Sequence, residues 1–141
     1  VLDAAAANGG EGLENEPEVE AALRVTIGRT YQSLGLYDEA MPHLERALAL
    51  RRALYPGGHP DVAESLDRVG SLVKDQGDYP AADSLYRASL ALRRRLLGPD
   101  HLDASESLNN LGVLLQAQAP VDEFAQRKRA VQGERAHERE I

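Results

Sequence analysis

An offset of 42 residues organises this 141-residue chain: Gly28, Gly70 and Gly112 are separated by it, as are Ile27, Val69 and Leu111. The same offset joins Gly35 to Gly77, Tyr37 to Tyr79, Ala40 to Ala82, Leu48 to Leu90 and Leu50 to Leu92. It also joins Arg51 to Arg93, Leu54 to Leu96 and His59 to His101. A period of this length marks one supersecondary unit used repeatedly, each copy burying its apolar face only by stacking on the next.

Within a unit the pattern is that of two helices. Val62, Leu66, Val69 and Val73 fall at steps of 4, 3 and 4, one apolar stripe of an α-helix. Gly77-Asp78 interrupts the stripe, and a second helix is predicted from near Tyr79, with Pro80 tolerated in its first turn. Ala82, Leu85, Leu92 and Leu96 form its stripe, widened by Tyr86, Leu90 and Leu97, which implies contact with two neighbours. Gly98-Pro99-Asp100 closes the unit, and Asp103 or Ser105 stands where a cap for the next helix is expected. Gly70 and Ala82 are small enough to let the paired backbones approach, with Tyr79 and Tyr86 filling what remains. Composition agrees with helices: 43% of residues are apolar, with five Tyr, one Phe and no Trp.

Leu66, Gly70, Tyr79, Ala82 and Tyr86 resemble the signature of the tetratricopeptide repeat family. The 42-residue period, with its LALRRRLLGPDH ending and SLNNLG opening, is similar to the repeats of kinesin light chains and their bacterial relatives, over about residues 17–118. The stretch PEVEAALRVTIGRTYQSLGLYDEAMPHLERALALRR also resembles the start of repeat regions that follow bacterial serine/threonine kinase domains. No kinase motif is present, so this resemblance implies an accessory segment of such a protein. It further implies an all-α, right-handed superhelical solenoid of antiparallel helix pairs with about three repeats: 17–59, 60–101 and a degenerate repeat or cap at 102–141. Residues 1–16 are expected to be a linker or the end of an upstream helix, Leu2 to Ala7 before Asn8-Gly9-Gly10-Glu11-Gly12.

Two departures stand out. Arg24 occupies the position of Leu66 and Leu108, and adjacent Leu23 is expected to take over its packing. In the third unit Ala119, Val121 and Phe124 replace the Gly, Tyr and Ala of the repeat, and Lys128 and Gln132 replace Tyr86 and Leu90. The charged tail keeps only Val121, Phe124 and Val131 as an apolar stripe, which leaves two readings open, a polar capping helix or a frayed end.

In the family it resembles, the first helix of each unit lines a concave groove. That implies Val25, Thr26, Arg29 and Gln32, then Asp67, Arg68, Ser71 and Lys74, then Asn109, Asn110, Val113 and Gln116 as groove residues. The expected peptide-binding set is Arg29, Gln32, Arg68, Lys74, Asn109, Asn110 and Gln116. An Asn or Gln amide pairs with a peptide backbone whatever the sequence, and Arg or Lys grips a carboxylate. The expected partner is a protein or peptide; the competing expectation is a structural spacer, or a homo-oligomer stacking through its repeat ends.

Net charge is −7, which opposes a nucleic-acid partner, since that binding neutralises phosphate with Lys and Arg. Arg51-Arg52 and Arg93-Arg94-Arg95 fall in last helical turns, where positive charge suits the macrodipole. His59 and His101 lack a companion at metal-ligand spacing and read as loop-ordering residues, while His43 and His137 follow no pattern. A phosphate-cradling loop, an HExxH pair and a nucleophile elbow are all missing from the sequence, so neither catalysis, cofactor nor metal is expected. No apolar run suits a membrane span, and there is no cysteine. Val1 opens without a signal-peptide pattern, so the expectation is a cytoplasmic segment of a longer protein.

Overall fold

The computed structural model describes residues 15–140, except the side chains of 119–126 and 134–140. Residues 1–14 of the expected 1–16 linker, and the side chains of the stripe residues Val121 and Phe124, therefore lie outside what is described. Five helices follow one another: α1 (Pro17–Ser33), α2 (Tyr37–Leu54), α3 (Pro60–Asp75), α4 (Tyr79–Leu97) and α5 (Leu102–Glu140). Among the described residues there is no strand, and the expected all-helical repeat solenoid is the fold observed.

The turns inside the first two units are built alike. Gly35 and Gly77 adopt φ of +75° and +86°, a region open to glycine at little steric cost. The following amides then reach back into the helix: Leu36 N–H donates to the Tyr31 carbonyl and Asp78 N–H to that of Val73, each at 2.9 Å. This pairing satisfies carbonyls that a helix end leaves orphaned and folds the next helix back antiparallel. Between units, His59 Nδ1 accepts from the Asp61 amide at 3.0 Å and His101 Nδ1 from that of Asp103 at 3.1 Å. The two histidines therefore cap helix N-termini. At the start of α5 this corrects the expected cap: Asp103 sits in the first turn, and its amide is the group being capped.

Apolar burial runs along the stack. Ile27 and Tyr31 of α1, Ala40, Leu44 and Leu48 of α2, and Val62, Leu66, Val69 and Leu72 of α3 form one cluster. Ala82, Tyr86 and Leu90 of α4 form a second with Ala104, Leu111 and Leu114 of α5. The repeated glycines set the approach of the paired helices. A Cβ on Gly28 would stand 2.5 Å from Leu44 Cδ2, and one on Gly70 would stand 2.9 Å from Tyr86 Cε1. Leu23 packs at the margin of the first cluster, as expected from the departure at Arg24. Arg24 itself turns to a polar partner, its Nη1 3.2 Å from His43 Nδ1 and its Nη2 donating to Glu20 Oε1 at 3.3 Å. Buried His43, stacked on Tyr31, occupies the position of Leu85, so two apolar positions in the second unit form a polar pair in the first.

The third unit lacks the turn of the first two. Where the first two units turn, α5 continues as one 39-residue helix. The sequence supplies the reason: Ala119 stands at the positive-φ glycine position, and Pro120 stands where Asp78 accepts the Ala81 amide at 3.2 Å. Without the glycine and the cap, the terms that favour a reversal are absent.

Candidate functional site

Three first helices, α1, α3 and α5, carry the candidate groove residues in repeating rows. One row runs Arg29, Ser71, Val113; a second, Gln32, Lys74, Gln116; a third, Thr26, Arg68, Asn110. Gln32 ties two helices together, its Nε2 donating to Ser71 Oγ at 3.0 Å and to Asp75 Oδ2 at 2.8 Å. Its donor is thus engaged between α1 and α3. Arg68 is partly engaged too, 3.7 Å from Glu64 one turn earlier. Arg29 is exposed and Lys74 half-buried, and among the described residues neither forms an ion pair. Asn110 is half-buried, while Val113 and Gln116 are exposed. Beyond the Gln32 end, a recess of about 520 Å³ lined by Tyr37, Asp38, Glu39 and Asp75 gives the row an acidic border.

A fourth row departs from the expected groove. Val25 and Asp67 are only 6% and 7% exposed, so neither offers a surface to a partner. Val25 packs on Ala47 and Leu50 of α2, and Asp67 lies under Arg93 of α4. Each is covered by the second helix of its own unit. Asn109 holds the equivalent position on α5, which has no such helix, and is exposed for that reason.

The arginines at the helix ends do more than face a dipole. Arg51 Nη1 donates to Ser65 Oγ at 2.9 Å and to the Asp61 carbonyl at 3.2 Å, with Glu64 at 3.4 Å. Arg93 Nη1 repeats this one unit later, donating to Ser107 Oγ at 2.8 Å and to the Asp103 carbonyl at 3.3 Å. Both arginines are buried, and each clasps the first helix of the following unit. The dipole reading of Arg51 and Arg93 is therefore superseded: a buried guanidinium needs acceptors, and the next unit supplies them. The shared offset of Ser65 with Ser107 and of Glu64 with Glu106 was the available signal.

Asp67 is the tense member of the second clasp. Arg93 Nη1 lies 2.7 Å from its Oδ2, yet neither carboxylate oxygen has a hydrogen bond of good geometry. Burial pushes the Asp67 carboxyl above the usual carboxylate range, opposed by the Ser89 hydroxyl and the Arg93 charge, while Glu106 adds to the rise. Among the described residues, no three His, Asp or Glu side chains gather closely enough to hold a metal, and no helix is long and apolar enough to cross a membrane.

Comparison with known proteins agrees with the repeat. A family model described as tetratricopeptide repeat matches residues 18–88 and again 61–119. Over 67 residues, 48% of this chain, the sequence is 33% identical to nephrocystin-3 of Xenopus laevis. It is 34% identical over the same length to nephrocystin-3 of Homo sapiens. The matched stretch spans about 5% of the length of these relatives.

Proposed function

The chain belongs to the tetratricopeptide repeat family, and on that premise we propose that it captures an extended peptide or partner segment along α1, α3 and α5. The observation that carries this reading is the run of polar side chains across the three helices, Arg29, Lys74, Asn110 and Gln116, none fully buried and none in an ion pair among the described residues. Arg29 and Lys74 suit acidic side chains or a terminal carboxylate, and the two amides suit peptide backbone. Val113 adds an exposed apolar contact. Gln32 and Arg68 line the same surface with part of their capacity already used, and Asn109 serves a partner that reaches the end of the array. The 42-residue period and its LALRRRLLGPDH ending support the kinesin-light-chain-like subtype. The resemblance of residues 17–52 supports a cytoplasmic accessory role in a bacterial protein, beside a kinase domain.

Peptides selected against the chain from a random displayed library provide the probe. Asn110→Ala with Gln116→Ala weakens the best peptide about tenfold, roughly 1.4 kcal/mol, with no loss of melting temperature. Unchanged affinity in the double variant overturns the groove assignment.

A further inference from the structure

The first half of α5 carries a face that the earlier units bury. Gly70 and Val73 of α3 pack beneath α4, with Tyr86 and Leu85 against Gly70, and Leu66, 4% exposed, lies in the cluster that Leu85 of α4 packs against. One unit later the same positions are Leu108, Gly112 and Leu115. Leu108 and Leu115 are 46% and 54% exposed, and a Cβ on Gly112 would meet nothing within 4 Å.

The sequence positions equivalent to the cover of the earlier units lie further along α5. Val121, Phe124, Lys128, Val131 and Arg135 stand at the positions of Tyr79, Ala82, Tyr86, Ser89 and Arg93, the side of α4 that meets α3 and α5. Because α5 runs unbroken, this segment leads away in line with the face it matches. Residues 127–133 are exposed, Val131 at 47%. A helix of about 20 residues that lacks tertiary packing is marginal in water.

We propose that two copies of this chain associate by exchanging the C-terminal halves of α5. Each half lies antiparallel on the other copy's Leu108, Gly112 and Leu115, in the place of the second helix of the third unit. The occupant follows from continuity: the chain already forms this interface twice, in α1 with α2 and in α3 with α4, and residues 121–135 hold the matching sequence positions. Loss of a turn glycine turns a helical hairpin into one long helix, and an exchanged pair then restores the lost contacts with two-fold symmetry. The surface lies beside Asn110, Val113 and Gln116 on α5 and takes in only Asn109 of the proposed peptide contacts, so the double variant of Asn110 and Gln116 tests peptide capture separately.

The chain has no cysteine, so an engineered pair reports contact cleanly. Leu115→Cys with Phe124→Cys places two thiols about 14 Å apart along a continuous helix, too far to bond within one α5. Light scattering on the unmodified chain gives a two-chain mass that dissociates on dilution, and the oxidised double-cysteine variant runs as a covalent dimer. Leu108→Glu with Leu115→Glu gives a single-chain mass while the melting temperature of the remaining helices stays within a few degrees. Three results overturn the proposal: a single-chain mass at every concentration, an internally cross-linked single chain from α5 folding back at Ala119-Pro120, or a dimer that survives the two glutamates.

Discussion

Gly28, Gly70 and Gly112 occupy one repeat position in three environments, and the environment decides what each contributes. Leu44 and Tyr86 sit where a methyl on Gly28 or Gly70 would go, and both are nearly fully buried with little room to move. Gly28→Ala and Gly70→Ala therefore lower stability by about 1–3 kcal/mol through overpacking. Gly112→Ala, measured where the chain is a single copy, raises it by up to ~1 kcal/mol through helix propensity. Chemical denaturation of the three variants reads the signs directly, and equal effects at all three would contradict this packing. Asp67 gives a prediction in pH. Its folded carboxyl holds a proton to higher pH than the unfolded chain does, so folding takes up a proton there. Its contribution to stability is full below the ordinary carboxylate value and is lost as pH rises through the raised one. In Asp67→Asn that dependence disappears, so the melting temperature of the original chain, relative to the variant, rises as pH is lowered from neutrality towards the ordinary carboxylate value. Residues at this scale were only partly legible beforehand. Arg24 stood out as a departure, but its compensating partner His43 lies 19 residues away on another helix, and single-position comparison hides such a pair.

The helix pairs were legible because periodicity, turn glycines and repeat spacing all gave the same boundaries. The capping histidines were less so, since imidazole is seldom weighed as a cap beside Asp103 and Ser105. In the third unit the replaced residues are visible in the sequence, but whether they end the helix or merely change its surface depends on the turn. Ala119 and Pro120 remove the positive-φ residue and the N-cap together, and the helix then propagates through the boundary. Restoring them, as Ala119→Gly with Pro120→Asp, makes α5 fold back on its own Leu108, Gly112 and Leu115 face. Small-angle scattering should show a smaller radius of gyration, and light scattering a single-chain mass where the original chain is paired. An unchanged long α5 in that variant would show that something other than the turn residues holds it straight.

At the scale of the whole chain, the units are joined by two buried clasps, Arg51 on Ser65 and Arg93 on Ser107, laid over a continuous apolar stack. In a solenoid each unit contacts only its neighbours, so a clasp couples the folding of adjacent units and fixes the spacing of α1, α3 and α5. Ser107→Ala removes one of the Arg93 guanidinium's acceptors while the Asp103 carbonyl and Asp67 remain, and lowers stability by about 1 kcal/mol. The resulting rigid row of first helices is what the proposed capture of a peptide uses, with Arg29, Lys74, Asn110 and Gln116 spread along it. The direct measurement is a titration of isotope-labelled chain with a library-selected peptide, followed by amide resonances. Shifts that saturate together along α1, α3 and the first half of α5, centred on these four residues, are the predicted result. Shifts confined to α2 and α4, with the first helices silent, would contradict the account.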